Sequence, residues 1–490
     1  MLAVGSDLTS QISNLESPFV PPSTSPSLLF SQLARANKTM SETLIVSVSG
    51  VRGIVGKDLT PELICRYAAA AGALARERGK PSVVLARDAR TSGPMLIGAA
   101  RAGLQSVGCE VIDCDLIPTP TAQLAVEHHG AGGGIVLTAS HNPIEWNALK
   151  FIGDDGLFLD AETAAALQAR VVASNGIPRA DWSGIGEVVR DSDAIGRHVE
   201  KVLTLDAIDV EAIRSSGFRV ALDCVNGVGG AIMPMLLERL GCTVHGMYLE
   251  ANGRFSRPPE PIPANIGELG ALVRESESVI GMAMDPDGDR LALTDERGRG
   301  IGEDYTLSFA VRAVLERAVG PVVVNLSTSL VVDDVAREFG VEVTRAKVGE
   351  ANVARAMRDA GAIIGGEGNG GVMLPTLHLG RDAPVAAALV LDLLARSGRT
   401  VSELVESAPR YAIVKDKVPR GPSLEALYAA LQSRFTDAAS DTLDGLRLAW
   451  SDRWLHVRPS GTEPIVRLIA EGRSRVDAEG LVAEARALLG

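Results

Sequence analysis

From Leu44 onward, two patterns of apolar positions alternate along the chain. Short runs rich in Val, Ile and Leu read as strands, and longer stretches with apolar residues three or four apart read as helices. Thr60-Pro61 opens the first long stretch with an N-cap and a proline at the first helical position, which predicts a helix over 61–77. A strand over 82–86, a helix over 95–107, strands over 110–113 and 135–138 and a helix over 161–173 follow. The pattern restarts with a strand over 219–223, a helix over 231–240, a strand over 243–248, a helix over 267–276 and a strand over 279–284. A third cycle begins near Gly302, with strands over 322–326 and 341–346, helices near 332–339 and over 352–359, and a glycine loop over 365–371. The helix over 384–395 closes it. Beyond Ala408, strands over 411–418, 446–450, 454–459 and 465–471 are interleaved with helices over 423–435 and 476–489. The expected fold is therefore α/β: three similar α/β units, 40–190, 191–299 and 300–407, then a smaller α+β domain, 408–490.

Length agrees with several cores, since 490 residues exceed one domain of about 150 residues. Residues 1–39 break the pattern: Ser17-Pro18 and Pro21 to Pro26 are linker-like, without the apolar stretch of a secretory signal. They read as a disordered extension, with the functional protein starting at Met40. A net charge of −13 argues against nucleic-acid binding, although local arginines can still hold an anionic substrate. Five cysteines without a CxxC pair read as reduced thiols of a cytoplasmic protein. The absence of an apolar run of ~18 residues argues against a membrane span.

Four motifs carry chemistry. Thr138-Ala139-Ser140-His141-Asn142-Pro143 follows a glycine-rich turn and an apolar strand, which places Ser140 where a strand gives way to a loop. Asp285, Asp287 and Asp289 alternate through Asp285-Pro286-Asp287-Gly288-Asp289-Arg290, a spacing that lets hard oxygen ligands converge on one cation. An EF-hand fails here because Arg290 stands at the position that needs glycine. Arg458-Pro459-Ser460-Gly461-Thr462-Glu463-Pro464, with Arg467 beyond, offers backbone N–H groups, hydroxyls and guanidinium groups to a phosphate. A surface turn is its ordinary alternative. In the loop Gly365 to Gly371, Glu367 and Asn369 are the side chains able to bind sugar hydroxyls. Arg52 lies in a glycine-flanked loop, whereas Arg87 and Arg90 read as surface charge. Gly227-Val228-Gly229-Gly230 lacks the third glycine of a dinucleotide fingerprint, and Ser140 is not in a hydrolase elbow. A serine with a distant carboxylate cluster points to phosphoryl transfer through a phosphoserine.

In this order, the four motifs resemble those of the α-D-phosphohexomutase family, over Leu44 to the C-terminus. The resemblance implies four domains around a central cleft, and transfer of a phosphoryl group between O6 and O1 of a hexose phosphate through a 1,6-bisphosphate. It implies Ser140 as the phosphoserine, with Asp285, Asp287, Asp289 and Ser140 holding Mg²⁺. Arg52, Lys150 and Arg290 would surround the transferred group, and His141, also read as catalytic, would orient the serine loop. Glu367 and Asn369 would bind the sugar, and Arg458, Ser460, Gly461, Thr462 and Arg467 the second phosphate. The implied partners are small-molecule hexose phosphates, acted on by a monomer or homodimer. Two positions depart: Gly371 and Glu350 stand where many relatives have histidine, which leaves the general base open. An acidic residue after Val348-Gly349 is similar to phosphoglucosamine mutases, so glucosamine phosphate is the expected substrate. Mannose or glucose phosphate is the alternative, and a sugar-phosphate-binding protein without catalysis, or a metal-dependent phosphatase, belongs to a different class.

Overall fold

The computed structural model describes residues 43–48, 50–173, 176–419, 423–460 and 465–488. The expected extension over 1–39, together with Gly461 and Thr462, lies outside the described residues.

The first unit contains β1 (Ile45–Ser47), β2 (Gly50–Ile54), α1 (Pro61–Glu77), β3 (Ser82–Arg87), α2 (Gly93–Gln105), β4 (Glu110–Leu116), α3 (Thr119–His129), β5 (Gly134–Leu137), β6 (Trp146–Ile152), α4 (Ala161–Val172) and β7 (Val188–Arg190). The second contains α5 (Ala194–Leu203), α6 (Val210–Ser216), β8 (Arg219–Asp223), α7 (Met233–Arg239), β9 (Thr243–Met247), α8 (Gly267–Glu275), β10 (Ile280–Met284) and β11 (Leu291–Thr294). The third contains α9 (Asp304–Leu315), β12 (Val322–Asn325), α10 (Leu330–Glu338), β13 (Val343–Ala346), α11 (Glu350–Ala360), β14 (Ile364–Glu367), β15 (Gly371–Met373), α12 (Ala383–Ser397) and α13 (Val401–Glu406). The fourth contains β16 (Ala412–Pro419), α14 (Leu424–Arg434), β17 (Ala439–Asp441), β18 (Leu446–Ala449), β19 (Trp454–Pro459), β20 (Ile465–Gly472) and α15 (Arg475–Ala487).

One sheet plan recurs three times. The orders β4-β3-β5-β6, β9-β8-β10-β11 and β13-β12-β14-β15 each join three parallel strands to an antiparallel fourth. In the first unit β7 extends one edge, and β1 and β2 extend the other, giving seven strands. The turn between the third and fourth strands always leaves the carboxyl end of a parallel strand, where ligands of open α/β sheets bind. That turn carries Ser140 in the first unit, Asp285 to Arg290 in the second and residues 368–370 in the third. The fourth unit is different: its sheet, β16-β20-β19-β18-β17, is antiparallel throughout.

Local chemistry sets the element ends. Thr60 accepts the Leu63 N–H at the start of α1, with Glu62 in its first turn and Arg76 in its last, both favourable to the helix dipole. Several elements escaped the pattern. Helix α3 is buried at every residue from Thr119 to Val126, so no amphipathic stripe marks it. Strand β6 is buried on both faces from Asn147 to Ile152, so it does not alternate. The expected helix over 231–240 is a 3₁₀ turn, Val228–Ala231, followed by α7, because Pro234 lacks an N–H and sits in the first turn of a new helix. The loop expected over 365–371 is a hairpin, β14 and β15, with only 368–370 between the strands. Glycine at 365 is steric in origin, since a Cβ there would lie 2.1 Å from the Val323 carbonyl oxygen.

The second and third units share one continuous core, in which Leu222 and Met284 join Leu307, Val324 and Leu389. The fourth has its own, around Leu448, Leu455, Leu468 and Leu481. Among the described residues no helix is long and apolar enough to cross a membrane. None of the five cysteines is paired, and four are buried.

Candidate active site

Ser140 is 4% exposed and sits in left-handed backbone, with φ of 48°. That conformation is unfavourable for a residue with a Cβ and persists where its surroundings hold it. Here the holding is visible. The Ser140 N–H donates to Thr138 Oγ1 at 2.9 Å, and Thr138 Oγ1 donates to Asp88 Oδ2 at 2.7 Å. Arg90, which is 0% exposed, donates to the carbonyls of Ser140, Asn142, Pro143 and Trp146 at 2.7–2.8 Å. Its Nε lies 3.1 Å from Asp88 Oδ2, and its guanidinium covers the Phe255 ring at 5.0 Å. The expectation of surface charge at Arg90 is therefore corrected: it is the buried cradle of the serine loop. Arg87 is half-buried and pairs with Asp115 at 2.6 Å.

The Asp cluster meets the serine. Ser140 Oγ donates to Asp285 Oδ2 at 2.9 Å across 145 residues of chain. Oxygens of Asp285, Asp287 and Asp289 lie within 4.8 Å of one another, and all three residues are fully buried. Asp285 Oδ1 accepts the backbone N–H groups of Gly288, Asp289 and Arg290, which folds the loop around it. Asp287 Oδ1 and Asp289 Oδ1 are buried without a hydrogen-bond partner. Buried anionic oxygens of this kind are costly unless a cation meets them. Burial and the two neighbouring carboxylates push the Asp285 carboxyl well above the usual range. Burial acts the same way on Asp287, but Lys150 outweighs it and holds that carboxyl below the usual range. The three residues can thus hold a metal ion.

Cations close the other side. Lys150 Nζ, on β6, lies 2.8 Å from Asp287 Oδ2, and Thr119 Oγ1 donates to the same oxygen at 3.0 Å. Arg52 donates to Asn142 Oδ1 at 2.7 Å, which ties β2 to the serine loop. Arg290 is 8% exposed, with Nε 3.6 Å from Asp289 Oδ1. His141 Nδ1 lies 3.3 Å from Ser140 Oγ. Arg290, burial and Arg52 hold its imidazole pKa well below the usual value.

Glu367 ends β14 and is 3% exposed. Its Oε1 accepts from Asn325 Nδ2 and the Gly349 N–H, both at 2.8 Å, and its Oε2 from Arg381 at 2.8 Å. Burial alone would raise its carboxyl, but Arg381, Asn325 and Gly349 outweigh that and lower it. Asn369, in the turn, accepts the Gly371 N–H at 3.2 Å. Glu350 is 8% exposed and bonded to Arg381 and to Gln123 Nε2, at 3.1 and 3.2 Å. Burial raises its carboxyl.

In the fourth unit, β19 and β20 place Arg458 opposite Arg467, and β16 places Lys417 opposite Arg467. Directly opposed residues share a face, so three cations form a row across the sheet. Arg458 Nε is 3.0 Å from Asp444 Oδ2. The Ser460 N–H donates to the Ile465 carbonyl at 2.9 Å. Sequence reasoning missed Asp88, Thr119, Arg381 and Lys417. The one local signal was Arg87-Asp88-Ala89-Arg90 at the carboxyl end of β3, the same sheet edge that carries Ser140.

Comparison with known proteins matches the chain to four domains in succession. Residues 44–175, 196–299 and 302–411 match the phosphoglucomutase/phosphomannomutase alpha/beta/alpha domains I, II and III. Residues 414–488 match the C-terminal domain of the same proteins. A probable phosphoglucosamine mutase of Methanopyrus kandleri is 37% identical over 438 residues, 88% of this chain and 95% of the relative. A phosphoglucomutase/phosphomannomutase of Thermococcus kodakarensis is 38% identical over 439 residues, 88% of this chain and 94% of the relative. A crystal structure of a phosphoglucomutase/phosphomannomutase family protein from Burkholderia thailandensis superposes with a TM-score of 0.80 at 27% identity, covering 91% of this chain and 96% of that one.

Proposed function

Because the chain belongs to the phosphoglucomutase/phosphomannomutase family of α-D-phosphohexomutases, we propose that it interconverts glucosamine 6-phosphate and glucosamine 1-phosphate through phospho-Ser140 and a hexose 1,6-bisphosphate. The family assignment makes it an intramolecular phosphotransferase acting on hexose phosphates. The observation that carries the phosphoserine is the 2.9 Å bond between Ser140 Oγ and Asp285, beside two buried carboxylate oxygens that accept no hydrogen bond.

A sugar hydroxyl attacks the phosphorus of phospho-Ser140. The bond from phosphorus to Ser140 Oγ breaks, and Oγ takes up the equivalent of the hydroxyl proton. The bisphosphate turns over in the cleft, and its other phosphoryl group returns to Ser140 by the reverse step, so protons balance over the cycle. Little covalent work falls to the protein beyond positioning and charge neutralisation. Arg90 and the Thr138–Asp88 pair hold the Ser140 backbone in place, and Arg52, Lys150 and Arg290 would face the incoming charge. The donor set of Asp285, Asp287, Asp289 and the serine phosphate suits Mg²⁺, which would neutralise charge on the phosphoryl group in transit. Glu367 and Asn369 would orient the sugar, and the row of Arg458, Arg467 and Lys417, with Ser460, Gly461 and Thr462, would hold the phosphate that does not react.

The Methanopyrus relative and Glu350 after Val348-Gly349 support glucosamine phosphate. The Thermococcus relative supports glucose and mannose phosphates as the second reading. A parallel assay of the three 6-phosphates decides between them. The expected result is a kcat/KM about tenfold higher for glucosamine 6-phosphate. A higher value for either of the others would reject that substrate. Ser140→Ala is expected to lower turnover about 10³-fold or more, and intact-mass analysis of the parent to find one phosphate on Ser140. Full turnover by the variant would sink the phosphoserine route.

A further inference from the structure

Arg381 stands where three carboxylates from two units converge. Its Nη2 lies 2.5 Å from Asp289 Oδ2, its Nη1 2.8 Å from Glu367 Oε2 and its Nε 3.1 Å from Glu350 Oε2. Asp289 belongs to the turn between β10 and β11, Glu367 ends β14, and Glu350 starts α11. The arginine is 7% exposed. A guanidinium directs its donors along fixed lines in one plane and can bridge three anions at once, which a lysine ammonium on a flexible stem does not reproduce.

Arg381 is also held from behind. Asp382, next in the chain, caps α12 and lies 2.9 Å from His378 Nε2 and 2.8 Å from His198 Nε2. The Gly380 N–H donates to His378 Nδ1 at 3.1 Å. The arginine stem crosses Gly371, where a Cβ would lie 2.3 Å from Arg381 Cδ. The side chain thus fills the space that a histidine at 371 would need. The turns it joins also touch through backbone, since the Leu291 N–H donates to the Gly370 carbonyl at 3.0 Å.

We propose that Arg381 is a positioning residue that couples the sugar-binding hairpin to the metal-type cluster, sharing one guanidinium between Glu367 and Asp289. When Glu367 turns to a sugar hydroxyl, the guanidinium redistributes toward Asp289, so each loop senses the state of the other. This inference rests on the mutase reading given above.

The test is a titration of the purified full-length protein with Mn²⁺, a hard cation visible by electron paramagnetic resonance. Four proteins are compared: the parent, Glu367→Gln, Arg381→Gln and the double variant. Glu367 is not in the Asp cluster, yet Glu367→Gln is expected to change the Mn²⁺ Kd about threefold or more in the parent background. In the Arg381→Gln background the same substitution is expected to change nothing. Equal effects in both backgrounds, zero included, would overturn the coupling while leaving the mutase reading intact. A parent that binds no Mn²⁺ would overturn the reading of the Asp cluster and the coupling with it. Steady-state kinetics give a second readout: Arg381→Gln is expected to raise KM and lower kcat together. Should Arg381→Gln fail to fold, Arg381→Lys serves in the same four-way comparison, because it keeps the charge and loses the fork.

Discussion

A buried arginine has to find partners wherever the fold places them, and Arg90 finds them in four carbonyls of the serine loop. Replacing it by methionine would remove all four bonds and leave Asp88 as a buried charge without its cation. Breaking a buried pair in this way costs about 3 kcal/mol or more, or roughly 6 °C in Tm. Arg90→Met is therefore expected to melt earlier by about that margin and to carry less phosphate on Ser140, as thermal shift and intact mass would show. Gly371→His is a second test at this scale. Its Cβ would sit 2.3 Å from Arg381 Cδ. Overpacking of this kind costs about 1–3 kcal/mol, so kcat/KM is expected to fall.

Among elements, the turn Gly227 to Gly230 shows why a glycine pattern is not a fingerprint. A Cβ on Gly230 would lie 1.8 Å from the Leu249 carbonyl oxygen, and one on Gly227 would lie 2.7 Å from Pro286 Cα. These glycines let the backbone approach its neighbours, and the Val228 N–H donates to the Pro286 carbonyl at 3.0 Å, bracing the Asp loop. Gly227→Ala is expected to displace that loop and weaken Mn²⁺ binding about threefold or more. Gly98, within α2, is the contrast, since a Cβ there meets nothing within 4 Å. Gly98→Ala is expected to leave metal binding unchanged and to stabilise the protein by about 0.5–1 kcal/mol, read as a small rise in Tm. Most elements were legible because their periodicity was clean. Helix α3 and strand β6 were not, because burial on all sides erases the contrast between apolar and polar faces.

Across the whole molecule, the fourth unit meets the third through polar contacts. Ser327 Oγ donates to His456 Nδ1 at 2.8 Å, and His456 Nε2 donates to the Asp444 carbonyl at 2.7 Å. Glu471 Oε2 accepts the Leu330 N–H at the start of α10, at 2.9 Å, so one unit caps a helix of another. Burial, against the pull of Asp444, lowers the His456 pKa from 6.5 to about 4. The unfolded chain therefore binds the extra proton first. Stability from the neutral ring is present above about pH 6.5 and is lost as pH falls toward 4, by about 3 kcal/mol in all. His456→Asn is expected to show a shallower fall of Tm between those pH values. Asp304, in the same third unit, has the opposite sense. Burial pushes its carboxyl up to about 8, so stability is lost as pH rises through that value, and Asp304→Asn is expected to gain Tm relative to the parent above pH 8.

Two things were settled along the chain itself: the alternation of strand and helix, and the four motifs with their chemical types. Both depend on neighbours within a few residues, where periodicity, capping and turn chemistry operate. The serine, the aspartates and the Arg-Pro-Ser motif could be found because each is a compact run. What the tertiary structure alone decided was which charges are buried and whom they meet. Arg90 was indistinguishable from a surface residue, and Arg381 carried no signal, because its partners lie at 289, 350 and 367. The energy of a charge depends on the water removed around it and the opposite charge brought to it. Packing sets both, across chain separations that no local pattern spans.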